Sequence, residues 1–250
     1  VTVLGVAWLR IASAGLIFAL WRRPWRMFGN ISREQQHTLI ALGVVLGLMN
    51  AVFYLAIARL PLGTVGAIEF IGPITLAAAG IRTRRNIAAL ILAAAGGWIL
   101  TDVQLGGEPL GLVFAFANCG LFMLYILLGH RIAQDGGTAG IDRLGAGMLI
   151  ALITVSPLGL VGALPAIVSP GLLLAGIGVG VCSSVIPYVC DQMAMARLPR
   201  ATFALLLALL PVFATIIGVV VLRQIPSLLE AVGVLLVVCG IALHRQGNTF

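Results

Sequence analysis

Apolar residues run almost unbroken through nine stretches of this 250-residue chain, roughly 1–21, 38–59, 63–81, 86–101, 110–129, 143–163, 171–190, 201–222 and 227–244. Polar residues gather in the short intervals between them, with Gly, Pro and Arg prominent. A helix needs about 20 mostly apolar residues to cross the hydrocarbon core of a bilayer. The pattern therefore predicts nine membrane-spanning helices, an all-α polytopic membrane protein. The longest interval, 22–37, ends in Ser32-Arg33-Glu34-Gln35, a capping-box sequence that starts the next helix. Ser227 to Glu230 has the same form, which marks Glu230 as a cap rather than a site residue.

The chain repeats a phrase. Ala58-Arg59-Leu60-Pro61 is followed by Pro73, and Ala196-Arg197-Leu198-Pro199 by Pro211, at one constant offset, that from position 58 to position 196. Thr64 and Thr202, and Gly80 and Gly218, keep the same register. Five spans separate equivalent points, and an odd number turns the second unit over. The expected architecture is a pair of inverted repeats, a plan shared by many transporters. The halves divide into residues 1–104 and 105–250. Shifted back by the repeat offset, the span 110–129 falls before residue 1, so the first half is expected to lack one helix of a ten-helix plan.

Twelve of the fifteen arginines lie on one face of this topology, only Arg59 and Arg223 on the other, and Arg10 within a span. Such asymmetry places the arginine-rich face, with the C-terminus, in the cytoplasm of a bacterial inner-membrane protein.

Composition narrows the function. Hydrophobic residues make up 61% and charged residues 9%, and the mean hydropathy is +1.14. Water-soluble domains carry about a quarter charged residues, so the chain has too little polar surface for water. Its net charge of +7 is carried by arginine alone. These arginines sit in loops between spans, which argues for topology and against nucleic acid. The four cysteines lack CxxC spacing, the three histidines lie at span ends, and no HExxH, GxSxG or paired intramembrane carboxylates occur. No catalytic residue, metal site or cofactor is expected.

Charges inside hydrocarbon cost roughly 2.5–3.5 kcal/mol on insertion scales and mark function by default. Arg10 lies about 18 Å from the arginine-rich end of its helix and Glu69 about 10 Å from the opposite end of its own. These depths agree, and pairing of the two would lower their burial cost. Asn50 and Asn118 lie at similar depth, and Tyr54 follows Asn50 by four residues on one helix face. Arg10, Asn50, Tyr54, Glu69 and Asn118 are the candidate substrate-binding or pathway residues. Pro73 and Pro211 each remove a backbone hydrogen bond and are expected to bend equivalent helices. Tyr125 reads as an interface anchor, and Asp191 as a solvated helix end. Gly43/Gly47 and Gly176/Gly180 have the spacing of close helix packing.

The stretch Met49 to Pro73 (MNAVFYLAIARLPLGTVGAIEFIGP) resembles the EamA branch of the drug/metabolite transporter superfamily, in particular bacterial threonine/homoserine exporters. Leu9-Arg10, Arg22 to Met27 and Tyr188 to Pro199 carry the same likeness. The resemblance implies ten helices in two inverted five-helix repeats and export of amino acids or related metabolites with the proton gradient. It also implies that Arg10, Asn50 and Glu69 match residues of those exporters, and that Asp191 stands where they have an acidic residue. Leu210 and Arg223-Gln224 depart from the glutamates found there. The expected function is a secondary efflux transporter of small metabolites working by alternating access, in contact with lipid, a small-molecule substrate and protons. The alternative is a non-transporting membrane protein, such as an inactive paralogue or an assembly subunit.

Overall fold

The computed structural model describes residues 1–27, 31–79, 83–100, 108–134, 137–223 and 227–244, which contain helices and no strand. In chain order they are α1 (Val3–Arg22), α2 (Arg33–Ile57), α3 (Leu62–Ala79), α4 (Arg84–Leu100), α5 (Pro109–Ala133), α6 (Gly137–Ile167), α7 (Pro170–Gly180), α8 (Ile186–Met195), α9 (Arg200–Leu206), α10 (Leu209–Leu222) and α11 (Leu228–Leu243). A π-helical turn, Val181–Val185, joins α7 to α8. The boundary at 104/105 lies outside the described residues.

Local chemistry sets the ends. Thr2 Oγ1 accepts from the Gly5 N–H at 3.1 Å and starts α1. Both capping boxes form: Ser32 Oγ accepts from Gln35 N–H and Gln35 Oε1 from Ser32 N–H, while Ser227 N–H donates to Glu230 Oε2 at 2.6 Å. Pro109 and Pro170 open α5 and α7, where a missing N–H costs nothing. Arg23, at φ 47°, closes α1 just before Pro24.

Among the described residues, six helical stretches are long and apolar enough to cross a membrane: Val3–Arg22, Arg33–Ile57, Leu62–Ala79, Pro109–Ala133, Ala139–Ile167 and Pro170–Met195. Their outer faces are apolar too, with Leu20, Ile153, Val161 and Leu174 well exposed. Lipid accepts that surface and water does not. The largest packed cluster joins α1, α2, α5 and α6 through Phe18, Leu42, Leu46, Tyr125, Ile126 and Met148. A smaller one joins α3, α4, α9, α10 and α11 through Ala77, Ala93, Leu205, Val212 and Val237.

Helices related by the repeat offset lie against each other. α1 runs antiparallel to α6: Trp8 Nε1 donates to Ser156 Oγ at 2.8 Å, Phe18 packs on Gly145, and Arg22 pairs with Asp142 at 2.6 Å. α4 runs antiparallel to α11, with Gly96 against Gly233 and Arg85 Nε donating to the Leu243 carbonyl at 2.7 Å. The predicted glycine contacts are real where backbones nearly touch. A Cβ on Gly43 or Gly47 would stand 2.7 or 2.8 Å from the carbonyl oxygens of Gly147 or Ala151 on α6.

Three of the nine predicted spans, 86–101, 201–222 and 227–244, are not among the six long stretches, and one of the three is divided. Residues 201–222 form two helices, α9 and α10, with a turn at 207–208. Pro211 cannot donate to the Leu207 carbonyl, four residues earlier. Leu210 N–H reaches it instead at 3.0 Å, tightening the backbone there. The Pro211 side chain lies outside the described residues. Pro73, by contrast, is carried inside an unbroken α3.

Candidate functional site

Where α1, α2, α3, α5, α8 and α10 converge, the bundle encloses a cavity of about 870 Å³. It reaches from the ends of α3, α4 and α11, at Leu62, Leu100 and Glu230, down to Asp191 on α8. Arg10, Asn50, Glu69 and Asn118 all line it. Four of the five residues expected at a pathway thus share one hollow. Tyr54 is not among the lining residues and packs edge-on against Phe53, with ring centroids 5.9 Å apart. Phe53 takes the place expected for it.

Arg10 is held by the second half of the chain. Its Nε donates to Ser184 Oγ at 2.8 Å and its Nη2 to the Ser183 carbonyl at 2.6 Å. Both serines belong to the π turn, whose widened spacing interrupts the regular helix ladder. The third guanidinium nitrogen, Nη1, has no partner among the described residues. Gly180 makes the approach possible, since a Cβ there would lie 2.5 Å from the Ser13 Cβ and 3.1 Å from the Arg10 carbonyl oxygen.

Glu69 forms no ion pair with Arg10; the ion pairs among the described residues are Arg22–Asp142 and Arg59–Glu108. Two contacts hold Arg10 on the π turn, and both charges line the cavity. Glu69 stands beside Asn118, yet neither amide atom of Asn118, a fully buried residue, makes a hydrogen bond of ordinary geometry. A buried amide with nothing to bind costs about 1–3 kcal/mol. Asn118, which lines the cavity, thus has its amide atoms available for hydrogen bonding.

Asn50 Nδ2 donates to the Leu46 carbonyl at 2.9 Å and to Tyr188 Oη at 3.2 Å, tying α2 to α8. Tyr188 packs edge-on against Tyr125, centroids 5.5 Å apart. Tyr125 Oη in turn donates to Asp191 Oδ2 at 2.9 Å. Two expectations are corrected here. Tyr125 is 1% exposed and is no interface anchor. Asp191 lies four residues before the end of α8, half-buried at the foot of the cavity, rather than at a solvated helix end. The repeat held a signal for it: shifted back by the same offset, Asp191 falls on Phe53 and Tyr188 on Asn50, so the two pairs share their wall positions.

Two opposite charges left unpaired around one cavity, deep in an apolar bundle, can hold a small molecule bearing both charges. The profile of the EamA-like transporter family matches residues 109–245. The threonine/homoserine exporter RhtA of Salmonella typhimurium (strain LT2) is 33% identical over 252 residues, covering 98% of this chain and 81% of that protein. Its counterpart in Escherichia coli (strain K12) is 32% identical over 225 residues, 88% of this chain and 74% of that one. One solved crystal structure superposes with a TM-score of 0.69 at 19% identity, covering 96% of this chain and 85% of the other, a likeness of fold alone.

Proposed function

We propose, from the premise that this chain belongs to the EamA-like transporter family, that it is a secondary active exporter of small zwitterionic metabolites, among them amino acids such as threonine or homoserine. It is a multi-pass membrane protein of a transporter family, not an enzyme. The observation that carries the proposal is the cavity with Arg10 and Glu69 on its walls, unpaired with each other. The substrate carboxylate goes to Arg10 and its ammonium to Glu69, with Asn118 completing the polar contacts. A charge-assisted hydrogen bond is roughly twice as strong as a neutral one, and each charge of the protein is compensated only when substrate is bound.

Transport proceeds by alternating access between two inverted repeats, residues 1–104 and 105–250, with the shorter helices α4, α9–α10 and α11 crossing the bilayer as well. Support comes from helices related by the repeat offset that pack together antiparallel, α1 on α6 and α4 on α11. The arginine distribution favours a bacterial inner membrane with the C-terminus in the cytoplasm. With that orientation the cavity opens outward, because Leu62, Leu100 and Glu230 at its mouth belong to the arginine-poor face. Protons supply the driving force.

Proteoliposomes bearing the protein test the proposal against a panel of neutral L-amino acids. Saturable flux of at least one, competed by its neighbours in the panel, is the expected result. No saturable flux of any would overturn it and leave a non-transporting membrane protein as the alternative.

A further inference from the structure

We infer that Asp191 is the carboxyl that carries the coupling proton, separate from the substrate-holding Arg10 and Glu69; the inference rests on the exporter reading above. Asp191 lines the foot of the cavity and is bound only through Oδ2, by the Tyr125 phenol. No cation pairs with it among the described residues. A carboxylate in that setting is costly unless something neutralises it, and the cavity is the side from which a proton arrives. The fold does not require an acid at this place. Its repeat counterpart, at the same wall position on α2, is Phe53.

A second observation gives the proton somewhere to go. Gln192 Oε1 and His130 Nδ1 are buried, their residues 2% and 5% exposed, and neither has a partner among the described residues. Gln192 follows Asp191, and its Nε2 reaches the Gly129 carbonyl at 3.4 Å. His130 comes next on α5, five residues beyond Tyr125 toward the arginine-rich face. An unpartnered amide oxygen and an unpartnered ring nitrogen beyond the carboxyl suit a proton, or the water bearing it, on its way to that face.

The other ionisable groups around Asp191 are accounted for. α5 brings Tyr125 and His130, and α9 begins at Arg200. On α6, Asp142 is engaged by Arg22 and Arg143 has interactions of its own. Across the cavity stand Arg10, fixed on the π turn, and Glu69 beside Asn118. Tyr188, on α8 itself, is bound by Asn50. In the cycle the Asp191 carboxylate takes one proton from the cavity side. After the halves rearrange it releases that proton to the arginine-rich side, where substrate binds, and the return rearrangement carries the substrate out.

The test uses the whole protein in proteoliposomes, with L-threonine and the other neutral L-amino acids as probes. Two assays run side by side: counterflow of labelled substrate without a gradient, and accumulation driven by an imposed pH gradient with proton movement recorded by an entrapped dye. Asp191→Asn should retain measurable counterflow and lose both driven accumulation and substrate-linked proton movement. Asp191→Glu should restore coupling. Tyr125→Phe, which alters only the phenol that positions the carboxyl, should displace the pH profile of driven transport. Coupled proton movement by Asp191→Asn at the wild-type level would overturn the inference. So would loss of counterflow in a variant that elutes as a monodisperse protein, which would make Asp191 a substrate ligand. Absence of counterflow in the wild type would overturn the exporter reading itself.

Discussion

Two walls of the cavity are built alike and furnished differently. α2 presents Met49, Asn50 and Phe53; α8 presents Pro187, Tyr188 and Asp191, at the same spacing and related by the repeat offset. The next helices continue the contrast, with Glu69 on α3 where the α9–α10 segment has Leu207. Among the described residues, and Glu230 at the mouth aside, each half supplies one carboxyl to the cavity, at positions that do not correspond. Packing constrains helix spacing and face, because a shifted helix collides with its neighbours, as the Gly43 and Gly47 contacts show. It does not constrain which group a cavity-facing position carries. Chemistry was free to diverge on a backbone that was not. The described backbones differ too: α2 runs unbroken where its counterpart carries the π turn Val181–Val185, and α3 stays continuous over Pro73 while its counterpart breaks at 207–208 ahead of Pro211.

The largest expected effect comes from removing the charge that one wall has and the other lacks. Truncating one partner of a buried, hydrogen-bonded charge pair costs about 2–5 kcal/mol, so Glu69→Gln should reduce transport by roughly 30-fold or more, at a rate of tenfold per 1.4 kcal/mol. Membrane-inserted protein should stay at the wild-type level, and equal flux in the two proteins would exclude Glu69 from the site. Arg10→Lys should follow closely. A lysine keeps the charge but cannot hold Ser184, the Ser183 carbonyl and a carboxylate together, because it lacks the planar fork. The expected outcome is a raised KM with little change in thermal stability, read by flux titration and melting in detergent. Asn118→Leu should separate function from stability. It removes two unsatisfied polar atoms, so the melting temperature should rise while substrate affinity falls by about tenfold or less, the worth of one hydrogen bond. The smallest effect belongs to Arg22→Ala. Its ion pair with Asp142 is partly exposed, worth about 0–1 kcal/mol, and should leave flux unchanged and melting lowered by little.

Much of the fold was legible in the sequence because helix ends and apolar lengths are local properties. Both capping boxes and the Leu60-Pro61 break follow from the chemistry of a few neighbouring residues, whereas Pro73, expected to bend its helix, sits inside an unbroken α3. The cavity residues Arg10, Asn50, Glu69 and Asn118 stood out because polarity is conspicuous in an apolar helix. What escaped was direction. Lipid is as apolar as the interior of the bundle, so hydrophobic periodicity does not say which face of a helix turns inward. Tyr54 and Phe53 flank Asn50 on opposite sides, because four steps carry about 40° past it and three steps fall about 60° short. The cavity lies on the three-step side, which also holds Asp191 relative to Tyr188. The π turn that receives Arg10 has no local signature, and so the partner of that charge was read as Glu69 instead of Ser183 and Ser184.

The hydrogen bond between Asn50 and Tyr188 joins two residues that the repeat makes counterparts of each other. If the halves exchange conformations during the proposed cycle, most contacts are replaced by their mirror images. A bond between counterparts has no such image, because exchanging its ends gives the same bond back. In that proposed cycle it would be a fulcrum, a place where the protein is held fast while everything around it trades sides. Asn50→Leu should therefore leave substrate binding in place and unsettle the turnover that follows it.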